Sequence, residues 1–198
     1  MKKFILIMTV LIAAQTTNLM AQTTDTDVVN FTAILQEVLN LTVTGGQDQT
    51  ADFDTPDEYN LGIDAVGTTT ITVEATGDWF LEVNAADFSD GGGNIIPIDN
   101  LGLWCESTGT NTIGAEVSCS FTALASSMGI TAADQMLLDL GAGSNAGGVA
   151  ENSFNLNWTM GTMNGTMNTN TMLEQLTAGT IGALGTYTTT VNLTLTAY

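Results

Sequence analysis

"GTYTTTVNLTLTAY", Gly185 to Tyr198, is the stretch that decides the fold. Tyr187, Thr189, Val191, Leu193, Leu195 and Ala197 fall on one side of an extended chain. Thr186, Thr188, Thr190, Asn192, Thr194 and Thr196 fall on the other. Alternation of period two over twelve residues, rich in β-branched types, predicts a half-buried strand. Working back from it, the same pattern recurs in short runs set apart by Gly, Asn and Asp. "FNLNWTM" places Phe154, Leu156, Trp158 and Met160 opposite Asn155, Asn157 and Thr159. "LGLWCES", "EVSCSF", "NIIPI", "TTITVEA", "WFLEVNA" and "LNLTV" are further runs of this kind. Short strands at this spacing predict an all-β fold, an immunoglobulin-like or Greek-key β-sandwich of roughly 8–10 strands. "TAADQMLLDL" reads either way, since Thr131 and Asp134 resemble a capping box while Met136, Leu138 and Leu140 alternate.

The first 21 residues, "MKKFILIMTVLIAAQTTNLMA", have the form of an export signal: Lys2 and Lys3, then an apolar run from Phe4 to Ala14 too short to span a bilayer. Cleavage is expected after Ala21, and no later stretch is long and apolar enough for a membrane span. The expected organisation is a signal peptide over 1–21, an N-terminal strand within 22–37 and a sandwich domain over 38–198. Export places the protein outside the cell or at its surface.

Those two lysines are the only basic residues in 198, against 21 acidic ones and no histidine, for a formal charge of −19. Once residues 1–21 are removed the charge becomes −21, every acid being retained. Without cations there is no counterion release at phosphates, so nucleic-acid binding is excluded. Triads that need His, Schiff bases that need Lys and phosphate clamps that need Arg or Lys are excluded as well. Carboxylate chemistry and metal binding survive this filter. The one Asp-Thr pair placed like a protease turn, Asp54-Thr55, is followed by Pro56, which lacks both the N–H and the conformational freedom of glycine. The expectation is a protein that is not an enzyme.

Two features remain as candidate sites. Asp52, Asp54, Asp57 and Glu58 gather hard oxygen ligands on a turn around Pro56, the chemistry of a Ca²⁺ site. Cys105 shares a face with Leu101 and Leu103, and Cys119 with Val117 and Phe121. A disulfide between the two closes a loop of roughly 15 residues, contributing about 3 kcal/mol by the chain-entropy estimate. Met160, Met163, Met167 and Met172 lie close in sequence but lack His or Cys beside them, so a flexible loop with one or two core-facing methionines is expected rather than copper binding.

The closing strand resembles that of spore coat protein U and fimbrial-type domains, with its Gly-x-Tyr start and alternating Val/Leu with Thr. "VLNLTVTGGQDQTADFDTPDEYNLG" followed by "TTTITVEATGDWFLEVNA" is similar to small secreted β-sandwich proteins of Gram-negative cell surfaces. The resemblance covers about half of the chain after the signal. It implies a sandwich in a surface fibre or coat, with no catalytic residues to carry over. Fimbrial subunits place their disulfide early in the domain, whereas Cys105 and Cys119 are central. A filament or coat subunit that self-associates into a homopolymer is therefore expected. Its N-terminal strand, Val28 to Leu35, would act as a donor through Val29, Phe31, Ala33 and Leu35. The alternative is a secreted binding module, for carbohydrate or as an adhesin, using Trp79, Trp104 or Trp158 as a stacking platform.

Overall fold

The computed structural model describes residues 31–198, and the chain divides into a unit over Met1–Leu35 and a unit over Gln36–Tyr198. The second unit is an all-β sandwich. One antiparallel sheet contains β1 (Leu39–Gly45), β2 (Ile63–Ala75), β10 (Ser153–Met160), β6 (Leu101–Ser107) and β8 (Met128–Gly129), in that order. The other contains β11 (Val191–Ala197), β3 (Trp79–Ala85), β9 (Gln135–Leu140) and β7 (Val117–Ser118). A two-stranded ribbon, β4 (Phe88–Ser89) with β5 (Ile95–Ile96), lies outside both sheets.

The alternation read from sequence becomes the division between core and surface. In β3 the odd-numbered residues Trp79, Leu81 and Val83 are completely buried, and in β10 Phe154 and Leu156 are too. Ile71, Val73 and Leu103, on the strands either side of β10 in its own sheet, face the β3 residues across the sandwich and complete one continuous apolar core. The Trp79 and Phe154 rings meet edge to face with centroids 6.0 Å apart. The "TGD" turn after β2 does not close a hairpin. β2 and β3 belong to different sheets, so Thr76–Asp78 carries the chain across the sandwich.

β9 settles the ambiguity of "TAADQMLLDL". Leu81 pairs with Leu138 while Glu82 pairs with Met136, which leaves Leu137 as the extra residue of a bulge. The bulge lets Leu137 and Leu138 both face the core, and Met136 is left 42 % exposed. Simple alternation fails there because the strand itself is out of step.

Two short helices interrupt the strands. α1 (Pro56–Leu61) starts in a capping box: Glu58 N–H donates to Thr55 Oγ1, and the Glu58 carboxylate accepts the Thr55 N–H at 2.9 Å. α2 (Met172–Thr177) starts the same way with Thr171 and Glu174. The helices help cover a smaller apolar cluster of Ile96, Met160, Met172 and Ile181. Gly46, where the chain leaves β1, sits at φ +67°, and a Cβ there would lie 2.0 Å from the Thr68 carbonyl oxygen. Only glycine fits that exit.

The N-terminal strand expected over Val28 to Leu35 is not found in its described part. Val28 and Val29 lie outside the described residues. Phe31 to Leu35 form no regular structure, and Phe31 and Leu35 are 93 % and 96 % exposed. Alternation alone does not make a strand without a partner to accept its main-chain hydrogen bonds, and the first ladder forms only at Leu39, opposite Ala75.

Candidate functional site

β1 is the last strand at one side of its sheet, and β11 is the last strand at the same side of the other. Their inward residues are set by register. Leu41 lies opposite Val73 and Val43 opposite Ile71. Val191, Leu193 and Leu195 lie opposite Ala85, Val83 and Leu81. The β2 and β3 partners are buried, whereas Leu41, Val43, Val191, Leu193 and Leu195 are only partly so. The sandwich is therefore open along this side. A groove of about 400 Å³ enters between the sheets past Val43, Val66, Trp158, Met160, Val191 and Leu193. It continues into a cavity of about 640 Å³ beneath Phe53, Tyr59, Phe88, Met172 and Tyr187. Asp48, Gln47 and Gln49 form a polar rim shared by both. β1 and β11 pair on one side only among the described strands, so each also leaves main-chain N–H and C=O groups open to a further strand.

The opposite side is closed. Cys105 N–H donates to the Phe121 carbonyl at 2.7 Å, which draws the segment after β7 back onto β6. This brings the two cysteines together as thiols, with no bond joining them. Cys105 is buried and its thiol is pushed well up by its hydrogen bond with Cys119 and by burial. The Cys119 sulfur accepts from Cys105 and from the Phe121 N–H at 3.4 Å, contacts that lower its pKa. The disulfide expected from sequence is not shown, although the fold makes its two ends neighbours.

The acidic cluster does not assemble into a cation site. Among the described residues no three acidic side chains stand together as metal ligands. Glu58 Oε2 is committed to the helix start, accepting from the N–H groups of Asp54 and Thr55, each at 2.9 Å. Those main-chain donors, led by Thr55, hold the Glu58 carboxyl below its usual range. The neighbouring Glu58 charge pushes Asp54 up. Asp52, Asp54 and Asp57 remain exposed. Of the four acids that suggested calcium, Glu58 serves to start α1.

More of the methionines face the core than the one or two expected, and Met163 is only partly buried. Met160, Met167 and Met172 are buried, and Met167 sulfur accepts from Thr162 Oγ1 at 3.3 Å. The tryptophans separate into two kinds. Trp79 is fully buried and its indole N–H donates to the Asn145 carbonyl at 2.8 Å. Trp158 is nearly so and donates to Thr69 Oγ1 at 2.8 Å. Trp104 is partly exposed on the outer face of β6, so it is the most accessible of the three as a platform.

Sequence reasoning located the closing strand but not the opening beside it. The signal was present in the alternation of both "LNLTV" and "VNLTLTA", but nothing local says that two distant strands end opposite sheets at the same side. No family model matches the chain, and no curated protein matches it in sequence.

Proposed function

We propose that the protein is a structural subunit of an extracellular filament or surface coat, assembled by strand addition at the open side of its sandwich. The observation that carries this reading is the groove between β1 and β11, an apolar slot flanked by two unpaired strand edges. An extended segment laid there gains main-chain hydrogen bonds from an edge and buries alternate side chains against Val43, Val191 and Leu193. Within residues 22–35, Val28 to Leu35 have the alternation such a segment needs. Val29, Phe31, Ala33 and Leu35 bring roughly 5–9 kcal/mol of gross apolar burial, and edge pairing adds to it against the entropy of ordering the segment. Insertion into a neighbouring copy is a head-to-tail contact that does not close, and it propagates into a fibre. The export signal and the resemblance of the closing strand to coat and fimbrial domains point the same way.

In this reading Cys105 and Cys119 close to a disulfide after export, giving up two protons and two electrons to a disulfide oxidant. The bond staples the strand-crossing after β7 to β6. Alkylation of the exported protein before and after reduction, read by mass, distinguishes the two states.

The test of assembly is deletion of residues 22–35, followed by sedimentation and negative-stain microscopy. The full exported chain is expected to form filaments or large assemblies, and the truncated one to fold but remain small. Equal assembly by both removes this segment from the mechanism.

A further inference from the structure

The outer face of the β1–β2–β10–β6 sheet carries an arrangement that the groove does not use. Two rows run across three strands. Thr68, Asn157 and Trp104 are directly opposite one another, and so are Thr70, Asn155 and Glu106. Strand spacing makes each row about 10 Å long, and the two lie about 7 Å apart along the strands. In both rows the threonine hydroxyl donates to the asparagine Oδ1, at 2.8 Å for Thr68 and 3.1 Å for Thr70. With Oδ1 taken by the β2 threonines, each asparagine keeps its NH₂ to offer, and Trp104 and Glu106 stand next in register on β6. The Asn157 Nδ2 is withheld from water and has no hydrogen-bond partner, the only buried side-chain polar atom so placed among the described residues. Leaving such a donor unpaired costs about 1–3 kcal/mol. Trp104 differs from the other tryptophans in the same sense: its indole N–H has no protein partner among the described residues.

We propose that this face binds a neutral carbohydrate, with Trp104 as the stacking platform and Asn155, Asn157 and Glu106 as its hydrogen-bonding groups. The chemistry selects the ligand. Residues 31–198 contain no Lys, Arg or His, so uronates and sulfated sugars meet only negative charge. A purely apolar partner would strip water from threonine, asparagine and glutamate without replacing it. A neutral sugar offers a C–H face to the partly exposed indole, with hydroxyls around its rim that both donate and accept. A hydroxyl oxygen seated beside Trp104 pairs with Asn157 Nδ2 after a small side-chain rotation, and Glu106 accepts from the next. This binding rests on the sheet face alone and is independent of assembly through the groove.

The test is affinity electrophoresis of the full exported chain in gels containing soluble neutral polysaccharides (a β-glucan, a galactomannan, dextran and starch). Alginate and dextran sulfate serve as anionic comparators. At least one neutral polysaccharide should retard the chain, and neither anionic one should. Trp104→Ala should weaken retardation about tenfold or more while Trp104→Phe keeps most of it. Asn155→Ala with Glu106→Ala, which leaves the Trp104 ring in place, should weaken it severalfold at an unchanged melting temperature. Retardation by no neutral polysaccharide overturns the proposal, as does equal retardation of Trp104→Ala. If Trp104→Ala instead changes only the sedimentation of the chain, the face is a contact between copies and the carbohydrate assignment is wrong.

Discussion

Replacing Asn145 by alanine should be among the most damaging changes to this fold. Asn145 is completely buried in the loop between β9 and β10 and holds the start of β3 through both ends of its amide. Its Oδ1 accepts the Trp79 N–H at 3.0 Å, and its Nδ2 donates to the Trp79 carbonyl at 2.8 Å. The Asn145 carbonyl, which accepts from the Trp79 indole and from Asn152 Nδ2, belongs to the main chain and survives the change. Asn145→Ala therefore strands one buried N–H and one buried C=O of Trp79. At about 1–3 kcal/mol each, a loss near 4 kcal/mol is expected. For a domain of this size that corresponds to a melting temperature lower by roughly 8–16 °C. Urea unfolding followed by tryptophan fluorescence reads the loss, with an unchanged m-value as the sign that the native state is otherwise intact. Asn145→Asp refines the test. It keeps an acceptor for the Trp79 N–H but places a buried carboxylate against the Trp79 carbonyl. Burial raises that acid's folded pKa, so its penalty is full near neutral pH and shrinks as pH falls and the protonated acid donates to the carbonyl. A loss under about 1 kcal/mol for Asn145→Ala would refute the idea that this amide holds the loop on the sandwich.

The acidic helix start has a pH signature. Carboxyl NMR should find Glu58 titrating below an ordinary glutamate and Asp54 above an ordinary aspartate, since main-chain donors lower the first and the Glu58 charge raises the second. Because the folded pKa of Glu58 is lowered, its contribution to α1 is complete above the usual glutamate range and fades as pH falls through the lowered value. Ca²⁺ and Mg²⁺ at equal ionic strength should raise the melting temperature equally, by screening. A Ca²⁺-specific rise reversed by EDTA would contradict the arrangement of Asp52, Asp54, Asp57 and Glu58 described above. Trypsin should leave residues 4–198 whole even when unfolded, because they contain no Lys or Arg. Defined tryptic fragments from within that range would contradict this reading of the chain.

Much of the sandwich was legible because its strands obey period two against a single core. β6 spans Leu101–Ser107, the run "LGLWCES" itself, and β10 extends "FNLNWTM" by Ser153 alone. The closing strand is shorter than its alternation predicts. Its regular ladder starts at Val191, and the preceding residues meet the β4–β5 ribbon through Ser89 and Thr188 instead. β9 was obscured by its bulge. α1 was visible in principle, since Thr55, Pro56 and Glu58 form a complete helix start, yet the same acids also read as metal ligands. Composition cannot tell a carboxylate that caps from one that coordinates; only the direction of its hydrogen bonds can. The candidate sites were the least legible. The open side and the Trp104 face arise from strand order, and strand order is a property of pairings far apart in sequence. The Asn145 clamp likewise joins residues 66 apart and leaves no local pattern.

Hydrogen exchange of the assembled protein tests the assembly reading most directly. If subunits join by strand addition at the open side, amides along the free edge of β1 or β11 should become protected when the exported chain assembles. They should exchange freely in the chain lacking residues 22–35. Filaments in which both edges exchange as fast as in the dispersed protein would contradict assembly through this groove.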